Sequence, residues 1–196
     1  RQLLIPHLSN SAAPDAYRPS VVLYNPSVEE VQVEVRLLSD RGSLLTTAAR
    51  TLQARQMDVV TTELRASSYS NAKALVVVTG GNGRVMASGQ TAHNGTNDPA
   101  AHLAVQAGPG HANSPAPRKV LTEANWTNPW VSEVQVVDVT GGATVQVWYA
   151  CSTGGRRGPF TLWTNDGGPH SSVAFANVLQ TLSALDGGFA YWGTSG

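Results

Sequence analysis

The chain has 196 residues, a formal net charge of zero and only 13% charged side chains. That length allows two domains of about 90 residues, each able to bury its own core. No basic tract exists beyond Arg118-Lys119 and Arg156-Arg157, which excludes an electrostatic footprint for nucleic acid or an anionic membrane.

In chain order, Gln2, Leu3, Leu4 and Ile5 make a short apolar run before Pro6, and Val21-Val-Leu-Tyr24 leads into an Asn25-Pro26 turn, which reads as strand then turn. Val31, Val33, Val35 and Leu37 alternate with Gln32, Glu34 and Arg36, the period-two signature of a strand with one buried and one wet face. Asp40-Arg-Gly42 closes it. Further strands are expected over residues 44–52, 57–61, 74–79 and 84–90. Gly80-Gly-Asn-Gly83 is expected to join the last two as a tight hairpin, because Asn-Gly takes the positive φ values that such turns demand.

Residues 93–118 hold Gly95, Pro99, Gly108, Pro109, Gly110, Pro115 and Pro117, and read as a linker or long surface loop. They separate a first sandwich over residues 1–92 from a second over residues 119–196. The second opens at Lys119-Val-Leu121, runs through Trp130 and a strand over 134–139, and turns at Gly141-Gly142 into 144–151. Cys151, the single cysteine, excludes an intrachain disulfide and a cysteine-based metal site, and continues the inward series Val145, Val147, Tyr149 as a small apolar residue. A glycine-rich tip, Gly154-Gly-Arg-Arg-Gly-Pro159, precedes a strand over 160–164 and the Asn165-Asp-Gly-Gly168 turn. Phe175, Val178, Leu179 and Leu182 follow helical spacing, so a short helical crossover is expected there, with residues 61–68 as its counterpart.

The chain repeats itself: Val31-Gln-Val-Glu-Val35 recurs as Val145-Gln-Val-Trp-Tyr149, and Val78-Thr-Gly80 is answered by Gly193-Thr-Ser195. The fold expected is all-β: two tandem antiparallel immunoglobulin-like β-sandwich domains related by internal duplication, each with room for one short helical crossover. Tyr17-Arg-Pro-Ser-Val-Val-Leu-Tyr-Asn-Pro26, followed by the Val31 strand and Leu52-Gln-Ala-Arg-Gln56, resembles the tandem Ig-like repeats of secreted bacterial surface proteins. The resemblance implies an extracellular, non-enzymatic structural or adhesive role. Arg1 rather than Met opens the sequence and no run is apolar enough for a signal peptide or membrane span, which fits a secreted, processed protein.

All five tryptophans, Trp126, Trp130, Trp148, Trp163 and Trp192, lie in the second copy. Trp148 takes the place of Glu34, and alignment of Thr51-Leu-Gln53 with Thr161-Leu-Trp163 sets Trp163 against Gln53. Both are therefore expected to face outward, where large aromatics call for a cover. Another subunit, a sugar ring, or packing within the chain would serve. Trp130, Trp192, Arg156 and Arg157 are expected to belong to the same contact surface.

The first copy continues past Val78-Thr-Gly80 into Arg84-Val-Met-Ala-Ser-Gly-Gln90, whereas the second stops at Gly193-Thr-Ser-Gly196, so the second sandwich is expected to lack its last strand. Ala190, Tyr191, Trp192, Gly193 and Thr194 would then flank an open edge, completed in trans by Gln2, Leu3, Leu4 and Ile5 of a neighbour to build a filament or lattice.

No nucleophile elbow, zinc-protease helix, phosphate loop or calcium loop occurs. His93, Asp98 and His102 are the nearest thing to a cluster and read as solvated loop residues. Asn94-Gly-Thr96 and Asn125-Trp-Thr127 are glycosylation sequons in expected loops. The expected function is that of a non-enzymatic structural protein, without cofactor or metal, that associates with itself or another surface subunit. A carbohydrate-binding adhesin stacking sugars on Trp148 and Trp163 is the alternative.

Overall fold

A computed structural model describes residues 1–106, 126–127, 130–131, 133–150 and 155–189. The fold is all-β, and the chain divides into two compact units, residues 1–113 and 114–196.

The first unit contains β1 (Gln2–Asn10), β2 (Tyr17–Tyr24), β3 (Val31–Leu38), β4 (Leu44–Leu52), β5 (Met57–Val60), a 3-10 turn (Glu63–Arg65), β6 (Tyr69–Gly81), β7 (Met86–His93), β8 (Pro99–Leu103) and β9 (Val105–Gln106). They form two antiparallel sheets, ordered β4-β3-β6-β1-β9 and β5-β2-β7-β8. The neighbours β2-β5 in one sheet and β3-β6 in the other are placed as B-E and C-F in an immunoglobulin-like sandwich. The flanking strands exchange ends: β1 lies beside β6, and β7 beside β2.

The alternation in β3 does what its period dictates. Val31, Val33, Val35 and Leu37 are buried and meet Ile5 and Leu8 of β1, Val21 and Leu23 of β2, Leu52 of β4, Val60 of β5 and Val76 of β6 in one core between the sheets. Each such side chain contributes roughly 1.5–3 kcal/mol relative to exposure. The sheets press together at Gly89, where an added Cβ would stand 2.4 Å from Ile5 Cγ2 and 3.3 Å from Leu8 Cδ2. Lys73 of β6 is also buried, its ammonium donating to the carbonyls of Ser39 (2.7 Å) and Asp40 (3.1 Å). Burial pulls its pKa down to about 8 against the opposing pull of Asp40.

Three expectations need correction. Residues 93–106 are not linker: β8 pairs with β7 from Ser88↔Leu103 to Ala92↔Pro99, and β9 pairs with β1. Pro99 opens an edge strand, one of the few strand positions where a missing N–H costs nothing. The Gly80–Gly83 segment is not a hairpin, because β6 and β7 belong to different sheets. Its glycines instead let the chain pass tightly over residues 29–31: Gly81 has φ +78°, and an added Cβ would meet the Glu30 carbonyl at 2.4 Å, while that carbonyl accepts from Gly83 N. Finally, Gln2, Leu3, Leu4 and Ile5 pair in cis with Val77, Val76, Leu75 and Ala74, with Leu4 and Ile5 buried. The strand continues through Pro6, across an irregularity in which His7 has φ +54°, to Asn10.

The second unit contains β10 (Trp126–Thr127), β11 (Trp130–Val131), β12 (Val134–Asp138), β13 (Thr144–Ala150), β14 (Arg156–Thr164), β15 (Ser171–Phe175) and helix α1 (Val178–Leu185). Antiparallel pairs join β10 to β11, β12 to β15 and β13 to β14. Asn177 caps α1 by accepting from Gln180 N. Val178, Leu179 and Leu182 of the helix pack on Val134, Val147, Tyr149, Phe160 and Phe175. Phe175, expected as the first helical residue, ends β15 and meets the helix through packing.

A polar corner braces each unit. Asn25, fully buried just after β2, donates to the carbonyls of Glu29 (2.7 Å), Leu52 (3.1 Å) and Gln53 (3.0 Å) and accepts from Ser27 N. Asp138, at the end of β12, accepts from the backbone N–H groups of Thr140, Gly141 and Ala143 and from Asn165 Nδ2 at 2.7 Å. Burial pushes the Asp138 carboxyl up, but the Asn165 amide and the three backbone donors outweigh it and hold the pKa down to about 2.

Candidate interaction surfaces

On β13, Thr144, Gln146, Trp148 and Ala150 are exposed, whereas Val145, Val147 and Tyr149 are half-buried on the opposite face. Trp148 is 43% exposed, and the Arg156 guanidinium lies 5.2 Å from its ring centroid. Thr164 stands opposite Thr144 and Thr161 opposite Gln146, so the ring emerges from a face of hydroxyl and amide groups.

Trp163 does not join it. Its pairing partner is Val145, just as Leu52 is the partner of Val31 in the first unit. Direct partners in an antiparallel pair share a face. Trp163 thus stands with Val145, Val147 and Phe160 and is only partly exposed, in the position of inward-facing Leu52 rather than of Gln53. The two rings project from opposite faces, so they form no shared stacking platform. Arg157 likewise turns elsewhere: it pairs with Asp186, and its guanidinium sits 3.8 Å from the Phe189 ring centroid. Trp130 lies in β11. Trp192, the whole proposed edge of Ala190, Tyr191, Trp192, Gly193 and Thr194, Asn125 and Cys151 lie outside the described residues.

The donor-strand expectation fails on geometry. Gln2, Leu3, Leu4 and Ile5 already occupy an interior position of their own sheet, between β6 and β9. Releasing them would expose Leu4 and Ile5 and undo the β1–β6 ladder.

An unanticipated apolar surface lies on the first unit. β2 is flanked by β5 and β7, and their registers align Met57, Tyr24 and Met86 in one row and Val59, Val22 and Ser88 in the next. These are the outward positions, since Val21, Leu23 and Val60 point into the core. Met57 is 64% exposed, Met86 60% and Val59 45%. Both methionines of the chain therefore flank one tyrosine on an open sheet face whose border is the edge strand β5. In sequence, Val21-Val-Leu-Tyr24 is apolar throughout, so nothing there distinguishes the two faces.

His93 and His102 each have neighbours in the first unit. His93 Nδ1 receives the backbone N–H of Gly95 and of Thr96, each at 3.2 Å, and its ring meets Tyr17 edge-on at 5.3 Å. His102 stands opposite Gly89, with Nε2 3.5 Å from Thr91 Oγ1 and its ring 5.6 Å from that of His7. Among the described residues no group of three or more His, Cys, Asp or Glu side chains could hold a metal ion. Asn94 is poorly placed as a glycan acceptor, because its amide nitrogen donates to the Ser11 and Ala13 carbonyls, both at 2.8 Å.

No helix among the described residues is long and apolar enough to cross a membrane. No protein-family model matches the chain, and no curated protein is similar to it. Among solved structures, the crystal structure of Thermotoga maritima 1070 is similar over 54% of this chain and 90% of that one, with 10% sequence identity and a TM-score of 0.40, a likeness too distant to carry a function across.

Proposed function

We propose that the chain is a non-enzymatic, extracellular structural protein whose β-sandwich modules associate with copies of themselves or with a partner subunit. The observation that carries this reading is the row Met57, Tyr24, Met86 with Val59 beside it, an apolar strip on the outer face of a sheet that ends in the edge strand β5. Flexible thioethers around an aromatic ring adapt to varied partner surfaces, and β5, an edge strand among the described residues, offers backbone groups next to them. Association in this reading runs through that face rather than through exchange of the N-terminal strand.

Internal duplication belongs to the same proposal. The pairs β2-β5 and β3-β4 recur as β12-β15 and β13-β14, each set followed by a helical turn and each braced by a buried Asn or Asp after its first strand. A doubled module gives one chain two similar building blocks, the usual economy of extended assemblies. The extracellular setting draws support from the resemblance to secreted Ig-like repeats and from a surface rich in hydroxyls and poor in charge.

Replacing Met57 and Met86 together by Glu places two charges on the strip. Sedimentation velocity is expected to show smaller species than the native chain at equal concentration, with the circular dichroism spectrum unchanged. An unaltered size distribution would remove the strip from the account.

A second reading, a glycan-binding module, is favoured by one feature: the exposed Trp148 ring among Gln146, Thr161 and Arg156. One ring can still stack on a pyranose face while the neighbouring amide and hydroxyls bond its substituents. Soluble oligosaccharides are then expected to quench tryptophan fluorescence in the native chain and not in Trp148→Ala; no response across a broad panel would dispose of this reading.

A further inference from the structure

The first unit carries a cleft of about 540 Å3, at the opposite end of β2 from Tyr24, that the assembly reading does not use. Arg18, near the start of β2, and Arg65, at the end of the 3-10 turn, both line it, together with Asn10, Ser67, Ser68 and Asn94. Its frame is fixed by the fold. Asn10 Nδ2 donates to the Ser67 carbonyl at 2.7 Å, Arg65 Nε donates to the Pro19 carbonyl at 3.0 Å, and Asn94 binds the loop after β1.

Neither arginine meets a carboxylate among the described residues. Arg18 donates to the amide oxygens of Asn94 and Asn97, and Arg65 uses only its Nε. Arg65, Ser67 and Ser68 are exposed to solvent along the rim of this cleft. Two guanidiniums thus line one concavity. A guanidinium is a planar fork that matches an oxyanion. The cleft is broad and open to solvent, with more room than a single ion needs. The remaining lining is hydroxyl and amide with two alanines, a mixed surface suited to a polyhydroxylated ring.

We propose that this cleft binds an acidic saccharide unit. Its carboxylate is held by Arg65 with Arg18 beside it, and its ring hydroxyls by Ser67 and Ser68. The inference stands apart from the assembly reading, and either can fail without the other.

The test is a titration of the full chain, followed by NMR of the arginine Nε–H groups and the serine amides, with glucuronate, glucose and inorganic sulfate as separate probes. Glucuronate is expected to shift the Arg18, Arg65, Ser67 and Ser68 signals saturably, glucose to leave them in place, and sulfate to bind more weakly than glucuronate. Arg65→Gln is expected to weaken glucuronate binding about tenfold, equivalent to about 1.4 kcal/mol, and Ser68→Asp to abolish it. Ser68 is exposed, so Ser68→Asp keeps the native thermal midpoint, whereas Arg65→Gln also removes the bond to the Pro19 carbonyl and its binding is read beside its thermal midpoint. Equal response to glucose and glucuronate overturns the charge recognition. Sulfate binding as tightly as glucuronate overturns the saccharide and leaves a bare anion site. Undiminished affinity in Arg65→Gln, or the absence of saturation with glucuronate, overturns the site itself.

Discussion

Asn25 and Asp138 are small polar side chains at positions that burial alone would fill with hydrocarbon, and each organises a corner. Asn25→Ala leaves the Glu29, Leu52 and Gln53 carbonyls without their shared donor in a dry site. A loss of about 2–3 kcal/mol is expected from that, since an unsatisfied buried group forfeits its hydration as well as its bond. Denaturant unfolding of the variant measures it. Asp138 makes a prediction about pH. Its folded pKa, about 2, lies below the ordinary carboxylate value, so the unfolded chain takes up the proton first on acidification. The stabilisation is fully present above about pH 4 and is lost as pH falls toward 2, with an amplitude of about 2 kcal/mol. Asp138→Asn, which cannot titrate, is expected to flatten the acid limb of a stability–pH curve in that window, whereas a parallel displaced curve would mean that other groups govern it.

At the scale of elements, the hairpin β13–β14 shows why a correct strand can yield a wrong face. Its register slips between Val145 and Gln146 and again between Val147 and Tyr149, so residue counting along β14 misplaces Trp163 by one position. One position is the whole difference between inward and outward on a strand. Trp163→Ala is accordingly expected to destabilise the second unit by about 2 kcal/mol, while Trp148→Ala changes stability by less than about 1 kcal/mol. Thermal unfolding of the two variants side by side distinguishes them, and equal losses would contradict the assignment of faces. The same physics sorts the rest of the sequence reading. The strand Val31–Leu38 was legible because its apolar residues alternate, and Gly141-Gly142 because both glycines take positive φ in a true turn. The Gly80–Gly83 segment misled because a close backbone crossing and a tight hairpin ask for the same residue. The β8 strand was hidden because a proline at its first position looks like a loop, and its short Ala-rich body carries no period.

For the whole molecule, the all-β class followed from composition and spacing, but the apolar strip on the first unit did not. Tryptophan content drew attention to the second unit, whereas Met57 and Met86 come together with Tyr24 only through the registers of β2 with β5 and β7. Long-range pairing of that kind leaves no local mark. Nor could the sequence show that Gln2–Ile5 is satisfied within its own chain, since an apolar run at a terminus fits a central strand and a donated one equally. The proposed function has the chain associate through the open face of its first sandwich. The measurement that tests it most directly is the mass of the native chain by light scattering across a range of concentrations. Defined multiples of 20.6 kDa that grow with concentration are predicted, and a mass of 20.6 kDa at every concentration would contradict the account of self-association.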